Sequence, residues 1–177
     1  MPARAKRQST RSRQVNQSMR LSVLCCILLA ASVVAAQPVT ALPAPTDLKR
    51  DGVEAEGDGK PLILFFSFPG CQFCHVVRQN YLSPLLRTED ARRRPIIREL
   101  DITSTVSVKG FDGSPATHHA LARQYGVRVA PTVLFVDASG KLLAQPIIGG
   151  DVSGMYGGYL DNGFSEARKK MSADPAK

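Results

Sequence analysis

Cys71 and Cys74 are separated by two residues, and His75 follows them directly. Two cysteines at this spacing close too short a loop to stabilise a fold much, so a reversible disulfide is the favoured interpretation in an oxidising compartment. Such a pair performs thiol–disulfide exchange, in which one thiolate attacks a substrate disulfide and the second thiol then releases the substrate from the mixed disulfide. The spacing therefore predicts a redox-active Cys71–Cys74 pair.

A strand followed by a helix is predicted to hold this pair. Residues 61–68 form a continuous apolar, aromatic-rich run, which is typical of a strand buried on both faces. Pro69 and Gly70 end that strand, and apolar residues at helical spacing predict a helix over residues 71–86 with a bend at Pro84. The first cysteine is thus expected at the start of a helix.

The start of a helix activates a thiol. Its unpaired N–H groups and the positive end of its dipole stabilise a thiolate, so we expect the pKa of Cys71 to lie below the ordinary value of about 8.5. Cys71 is therefore predicted as the attacking nucleophile, and Cys74, one turn inward and less exposed, as the resolving thiol. His75 is a candidate modulator of that pKa through its imidazolium; a solvent-exposed histidine without this role is the alternative.

The other elements alternate in type along the chain. They are a weak helix around residues 46–56, a strand at 95–101, an irregular segment at 102–114, a helix at 114–126, a strand at 127–136, a hairpin partner at 141–148 and a helix at 155–171. Ser114 is the predicted N-cap of its helix, with Pro115 in the first helical position. Parallel strands followed by an antiparallel hairpin predict an α/β mixed sheet with helices on both sides.

With these features the chain resembles the thioredoxin-like superfamily, and within it the exported (periplasmic) thioredoxin-related thiol-disulfide oxidoreductases. The resemblance covers roughly residues 60–170 and rests on the strand before Cys71, the helix after Cys74 and the segment Tyr125–Thr132 that leads into the next strand. It implies a single domain with the thioredoxin fold, a central mixed β-sheet flanked by helices. Its redox group would be the Cys71–Cys74 disulfide, with no cofactor and no metal.

Pro131 carries a further implication of this resemblance. In thioredoxins the corresponding proline follows a cis peptide bond and faces the two cysteines, so Ala130 and Pro131 are expected to bind the substrate backbone. A trans proline in an edge strand is the alternative.

Two positions depart from ordinary thioredoxin. Pro69-Gly70 stands where thioredoxin has a tryptophan before the first cysteine, and Phe65 stands where it keeps a buried acid. The second departure leaves open how the proton of Cys74 is handled.

Residues 1–36 have the pattern of an export signal. A basic, acid-free stretch leads into a 16-residue apolar run at 21–36 that ends in small residues. This run is shorter than the roughly 20 residues that span a bilayer, so cleavage after Ala36 is favoured over an uncleaved anchor. We therefore expect an exported, periplasmic protein; Met19 is an alternative translation start.

Removal of this leader changes the chemistry of the chain. Six basic and no acidic residues are lost, which lowers the formal charge from +8 to +2 and leaves no concentrated basic face for nucleic acid. Cys25 and Cys26 are lost as well, so Cys71 and Cys74 are the only cysteines of the expected mature chain.

Composition and the positions of proline and glycine divide the chain into segments. A hydrophobic share of 44% and a charged share of 21% are typical of a soluble domain that buries a core. We expect a signal peptide at 1–36, an N-terminal tether and lead-in at 37–60, the thioredoxin-like domain at 61–171 and a disordered tail at 172–177.

The expected activity is reduction of protein disulfides. Gln72 and Phe73, between the cysteines, carry no charge that would strongly favour the thiolate, and this favours a reductase over an oxidant. The expected partners are protein thiol and disulfide substrates and an upstream membrane electron donor. We expect a monomer that touches a membrane only through an uncleaved signal segment.

Two other classes of function remain open at this point. Cys71, Cys74 and His75 fit the pattern of c-type haem attachment, with Met155 or Met171 as distal ligand, although a small c-type cytochrome is mostly helical. A non-catalytic thioredoxin-like binding domain or copper chaperone is the other alternative. His118 and His119 are predicted as helix-surface residues rather than as ligands for such a metal.

Overall fold

The central element of the fold is strand β1 (Leu62–Ser67), and all six of its residues are buried. It runs parallel to β2 (Ile96–Asp101) and antiparallel to β5 (Thr132–Val136), which pairs antiparallel with β6 (Ile147–Ile148). The sheet order is β2–β1–β5–β6. The predicted mixed sheet is therefore confirmed, and the continuous apolar run of β1 reflects its position between two other strands.

A computed structural model describes residues 41–90 and 94–173. These residues lie in one unit, Val39–Lys177, and form a single domain. The predicted signal peptide at 1–36, with Cys25 and Cys26, lies outside the described residues. No helix in the described part of the chain is long and apolar enough to cross a membrane.

Helices cover both faces of the sheet, and a small second sheet flanks it. The helical elements are α1 (Leu48–Gly57), α2 (Gln72–Val77), a π-helical turn (Arg78–Leu82), α3 (Ser83–Leu86), α4 (His118–Gln124) and α5 (Tyr156–Ala173). The second sheet pairs β3 (Ser107–Lys109) with β4 (Pro115–Thr117) in antiparallel orientation.

Side chains of β1 alternate between two hydrophobic cores. Ile63 and Phe65 pack with α2 and α5 on one face, which we call the site face. Leu64 and Phe66 pack with α1 and α4 on the opposite face. This alternation follows from the two-residue period of a strand.

Helix α1 belongs to the core of the domain. Asp47 caps it by accepting a hydrogen bond from the backbone N–H of Arg50 at 2.9 Å, as short polar side chains do at N-caps. Leu48 and Ala55 are buried against the sheet. The segment 37–60, expected as tether and lead-in, thus contains a packed helix.

The helix after the cysteines is interrupted earlier than predicted. A π-helical turn at Arg78–Leu82 interrupts it, with the N–H of Ser83 donating to the carbonyl of Arg78, five residues back. Pro84 has no N–H and its ring crowds the carbonyl four residues before it. A widened turn directly before Pro84 relieves this conflict, as π-bulges do at kinks.

The segment 102–114 is not irregular throughout, because it contains β3. The helix predicted to start at Pro115 begins instead at His118, and Pro115 lies in β4 opposite Lys109. Thr117 caps the helix by accepting from the N–H of Ala120 at 3.1 Å. Ser114-Pro115 matches the sequence pattern of a helix start, but proline is equally tolerated as the first residue of a strand.

The later strands are shorter than predicted, and the closing helix is confirmed. Strand β5 starts only at Thr132, because Pro131 cannot donate to the ladder. Gly163 of α5 lies so close to Phe135 that an added Cβ would be 2.4 Å from its ring, so this glycine permits close packing on the sheet. Helix α5 extends into the segment expected as a tail, of which residues 174–177 lie outside the described part.

Candidate active site

Cys71 and Cys74 form a disulfide where β1 gives way to α2. Cys71 is the N-cap of α2, and its Sγ accepts a hydrogen bond from the backbone N–H of Cys74 at 3.1 Å. Its side chain is partly exposed, whereas Cys74 is completely buried. The outer sulfur can therefore be approached from solvent while the inner sulfur is shielded.

The peptide bond between Ala130 and Pro131 is cis, as the resemblance implies. Strand β5 begins at the next residue, Thr132, which pairs with Phe66 near the end of β1. Ala130 and Cys71 pack against the same core on the site face. The substrate-binding role expected for Ala130 and Pro131 stays a prediction.

His75 is exposed in the first turn of α2, where its backbone N–H donates to the carbonyl of Cys71 at 3.0 Å. It lines a cavity of about 560 Å³ that Cys71 also lines. The cavity lies where the parallel strands β1 and β2 end, which is where open α/β sheets bind ligands. Its role as a modulator of the thiolate stays a prediction.

An ion pair that sequence reasoning missed borders this cavity. The guanidinium of Arg78 donates two-pronged hydrogen bonds to the carboxylate of Glu99, with Nε to Oε2 at 2.9 Å. The hydroxyl of Ser67 donates to the same carboxylate at 2.5 Å. The signal in the sequence that could have indicated it is weak: Glu99 follows Arg98 within a strand that begins with two isoleucines.

This pair lies beside Phe65, the residue that replaces the buried acid of thioredoxin. Glu99 is the register partner of Phe65 on the neighbouring strand, and the guanidinium of Arg78 lies 5.7 Å from the centre of the phenyl ring. Phe65 itself is completely buried. Charged side chains are therefore present next to position 65, on β2 and on the π-helical turn that follows α2.

The prediction that His118 is a surface residue is wrong. Its exposed fraction is 5%, and its Nδ1 accepts a hydrogen bond from the backbone N–H of Asp101 at 3.3 Å. Burial lowers the pKa of His118, and the nearby carboxylate of Asp101 opposes this only in part. His119, the next residue, is exposed as predicted. A helix start packed against the end of β2 explains why one of two adjacent histidines is buried.

Phe73, between the cysteines, has an exposed fraction of 57%. It packs against Gly150, where an added Cβ would come within 2.7 Å of the phenyl ring. Val129, two residues before Pro131, is also exposed. Exposed apolar side chains therefore lie between the two cysteines and just before the cis peptide bond.

The fold and the side chains around the disulfide bear on the haem and metal alternatives. The cysteines follow a strand of a four-stranded sheet, whereas the haem alternative expects a mostly helical protein. No cluster of three or more histidine, cysteine, aspartate or glutamate side chains capable of holding a metal occurs in residues 41–90 and 94–173.

Comparison with known proteins points to one family. The family model of a thioredoxin-like domain matches residues 48–154. Mitochondrial thioredoxin 3 from Saccharomyces cerevisiae is similar in structure, with 18% identity, 73% of this chain and 99% of that chain covered, and a TM-score of 0.48. No curated protein matches the chain.

Two further solved structures are similar at the same level. A thioredoxin-fold protein from Helicobacter pylori has 16% identity over 71% of this chain and 94% of that chain, with a TM-score of 0.46. A DsbH oxidoreductase has 17% identity over 80% of this chain and 98% of that chain, with a TM-score of 0.47. Because these identities and TM-scores are low, the assignment to a family rests on the match of residues 48–154 to the family model.

Proposed function

The chain belongs to the thioredoxin-like domain family and carries a Cys71–Cys74 disulfide in a thioredoxin fold, and from this premise we propose that it is a reductase of protein disulfides. The observation that carries the proposal is the unequal exposure of the two sulfurs, with Cys71 partly exposed at a helix start and Cys74 buried behind it. This arrangement supports attack by one cysteine and resolution by the other.

The proposed reaction begins with both cysteines reduced. The Cys71 thiolate attacks one substrate sulfur, a Cys71–substrate disulfide forms, and the other substrate sulfur leaves as a thiolate that takes a proton. Cys74 then loses its proton and attacks Cys71, which re-forms the Cys71–Cys74 disulfide and releases the second substrate thiol. Two electrons and two protons pass to the substrate, and an external dithiol restores the protein.

Reduction is proposed as the direction because the two residues between the cysteines add no charge that would stabilise the thiolate. Gln72 and Phe73 carry no charge. We expect a reduction potential closer to thioredoxin's value, about −270 mV, than to the strongly oxidising value of about −120 mV. Equilibration with a glutathione buffer measures it, and a potential near the second value would reverse the proposed direction.

Insulin reduction tests the activity itself. Cys71→Ser should abolish it, because the attacking sulfur is gone, whereas Cys74→Ser should accumulate mixed disulfides that gel electrophoresis without reductant reveals. Trapped partners identified by mass spectrometry would name the substrates. If the Cys71→Ser variant still reduces insulin, the proposal is wrong.

Export and partners are part of the same proposal. The basic and apolar pattern of residues 1–36 supports export to the periplasm, where an upstream membrane electron donor would restore the dithiol of a monomeric protein. Mass spectrometry of the mature N-terminus tests this: cleavage after Ala36 is expected, and an intact Met1 or Met19 in the purified protein would contradict it.

A further inference from the structure

We propose that the cavity beside Cys71 binds the amino-acid-like end of a small disulfide, so that the protein reduces low-molecular-weight disulfides that carry both an ammonium and a carboxylate group, such as cystine. This rests on the proposed function, because it names a second substrate class for the same Cys71–Cys74 pair. It adds a binding site that protein substrates do not require.

The cavity lies directly beside the attacking cysteine. Cys71 lines the cavity, so a molecule held there has its sulfur within reach of the attacking residue. The volume of about 560 Å³ lies within the roughly 300–1,000 Å³ typical of small-molecule sites. The cavity opens where β1 and β2 end, apart from the cis-proline segment at Ala130 and Pro131, neither of which lines it.

The described charged side chains around the cavity leave one carboxylate without a cationic partner. Arg78 and Glu99 neutralise each other through their two-pronged hydrogen bonds. Asp101, at the end of β2, also lines the cavity, and no lysine or arginine of residues 41–90 and 94–173 forms an ion pair with it. The Oδ1 of Asp101 accepts hydrogen bonds from the N–H and the hydroxyl of Thr103. These donors are neutral, so the negative charge of the carboxylate stays unbalanced and favours an ammonium group.

His118 supplies the complementary donor. Its Nδ1 accepts from the N–H of Asp101, so the neutral imidazole carries its proton on Nε2. His118 lines the cavity, and its Nε2 is fully buried without a hydrogen-bond partner among the described residues. A buried donor without a partner is unfavourable, so a small shift of the ring that lets Nε2–H donate to a ligand carboxylate in the cavity would be favourable.

Both binding residues line the same cavity, and the backbone N–H of Asp101 contacts Nδ1 of His118. An amino acid carries its ammonium and carboxylate on one carbon, which suits an acceptor and a donor on two residues of one cavity. The reaction balances as for protein substrates: Cys71 attacks one sulfur of cystine, one cysteine leaves, and Cys74 releases the second. The dithiol loses two electrons and two protons, and each cysteine gains one of each.

A panel of small disulfides tests this without any variant. Pre-reduced protein is mixed with cystine, with cystamine, which has only ammonium groups, or with dithiodipropionate, which has only carboxylates, and its remaining thiols are counted by alkylation and mass spectrometry. Each rate is divided by that of dithiothreitol with the same disulfide, which removes intrinsic reactivity. We expect cystine to react fastest on this scale and cystamine to exceed dithiodipropionate by about threefold or more.

Two variants and two matched controls locate the effect. Asp101→Asn should reduce the preference for cystamine over dithiodipropionate by about threefold, and His118→Asn, which keeps an acceptor for the Asp101 N–H, should reduce the preference for cystine over cystamine. Asp112→Asn is the control for the first, because its Oδ1 likewise accepts from Ser114 two residues later but does not line the cavity. His119→Asn is the control for the second.

The outcomes separate the two proposals. Normalised rates equal for the three disulfides, with insulin still reduced, would overturn the cavity proposal and leave the reductase intact. Loss of preference in the controls as strongly as in the variants would also overturn it. If neither insulin nor any small disulfide reacts with the pre-reduced protein, the proposed function fails and this inference fails with it.

Discussion

Arg98 and Glu99 are adjacent residues of β2, and each forms an ion pair on a different face of the sheet. Arg98 donates two hydrogen bonds of 2.7 Å to Asp51 of α1, on the face away from the site. Glu99 accepts two-pronged hydrogen bonds from Arg78 on the site face. The chemistry of the two pairs is nearly the same, since each joins a carboxylate to a guanidinium and fastens a helix to the sheet.

Their surroundings differ. The side chain of Asp51 is completely buried and does not line the cavity beside the disulfide. Arg78 and Glu99, in contrast, border that cavity, which Cys71 also lines. A buried pair enclosed by packed residues acts on stability alone. A pair that faces the redox site acts on stability and also on the electrostatic potential at the sulfur.

Removal of the carboxylate at position 51 should have the largest effect on folding. Asp51→Asn leaves the guanidinium of Arg98 largely buried without its counterion, so we expect the free energy of unfolding to fall by about 3–5 kcal/mol. Urea unfolding measures this. Glu54→Gln, an exposed acid of the same helix, should change the free energy little. A loss below about 1 kcal/mol in Asp51→Asn would show that the pair contributes no more than a surface pair.

The contrast between these pairs explains which parts of the molecule could be predicted. Strand β1 was predictable because burial on both faces leaves a local trace, an unbroken apolar run. Arg98 and Glu99 leave no such trace, since their partners lie 47 and 21 residues away in the chain. The sequence alone shows two charges in a strand, which is equally typical of a solvent-facing edge.

The residues of the site also fall into a group that the sequence predicts and a group that it does not. Cys71 and Cys74 were identified from spacing, and the cis bond before Pro131 was implied by the resemblance and is confirmed. His118 was misjudged because its burial depends on contact with the end of β2, which no local pattern records. Local chemistry was therefore predictable, and the walls of the cavity were not.

Removal of the carboxylate at position 99 should separate the two pairs more sharply. Glu99→Gln removes a negative charge beside the site and frees the guanidinium of Arg78, and both changes favour a thiolate. We expect the pKa of Cys71 in the reduced protein to fall, together with a loss of about 1–3 kcal/mol in the free energy of unfolding. Ultraviolet thiolate absorbance against pH measures the first, and urea unfolding the second.

Asp51→Asn is the matched control for that experiment. It should lower stability more than Glu99→Gln but leave the pKa of Cys71 where it is in the unaltered protein, because Asp51 lies on the opposite face. If Glu99→Gln also leaves that pKa unchanged, the two pairs are equivalent and both are structural.

The smallest expected effect is a pH dependence of stability that arises from His118 at the end of β2. Burial lowers the pKa of His118 from 6.5, so near that pH the unfolded chain binds more protons than the folded one. Stability present above 6.5 is therefore lost as the pH falls through the interval between the two pKa values. His118→Asn should flatten this part of the stability profile, measured by urea unfolding at a series of pH values. Asp51→Asn should keep the slope, despite its lower stability, because it leaves His118 in place; a slope that survives His118→Asn would assign the proton to another group.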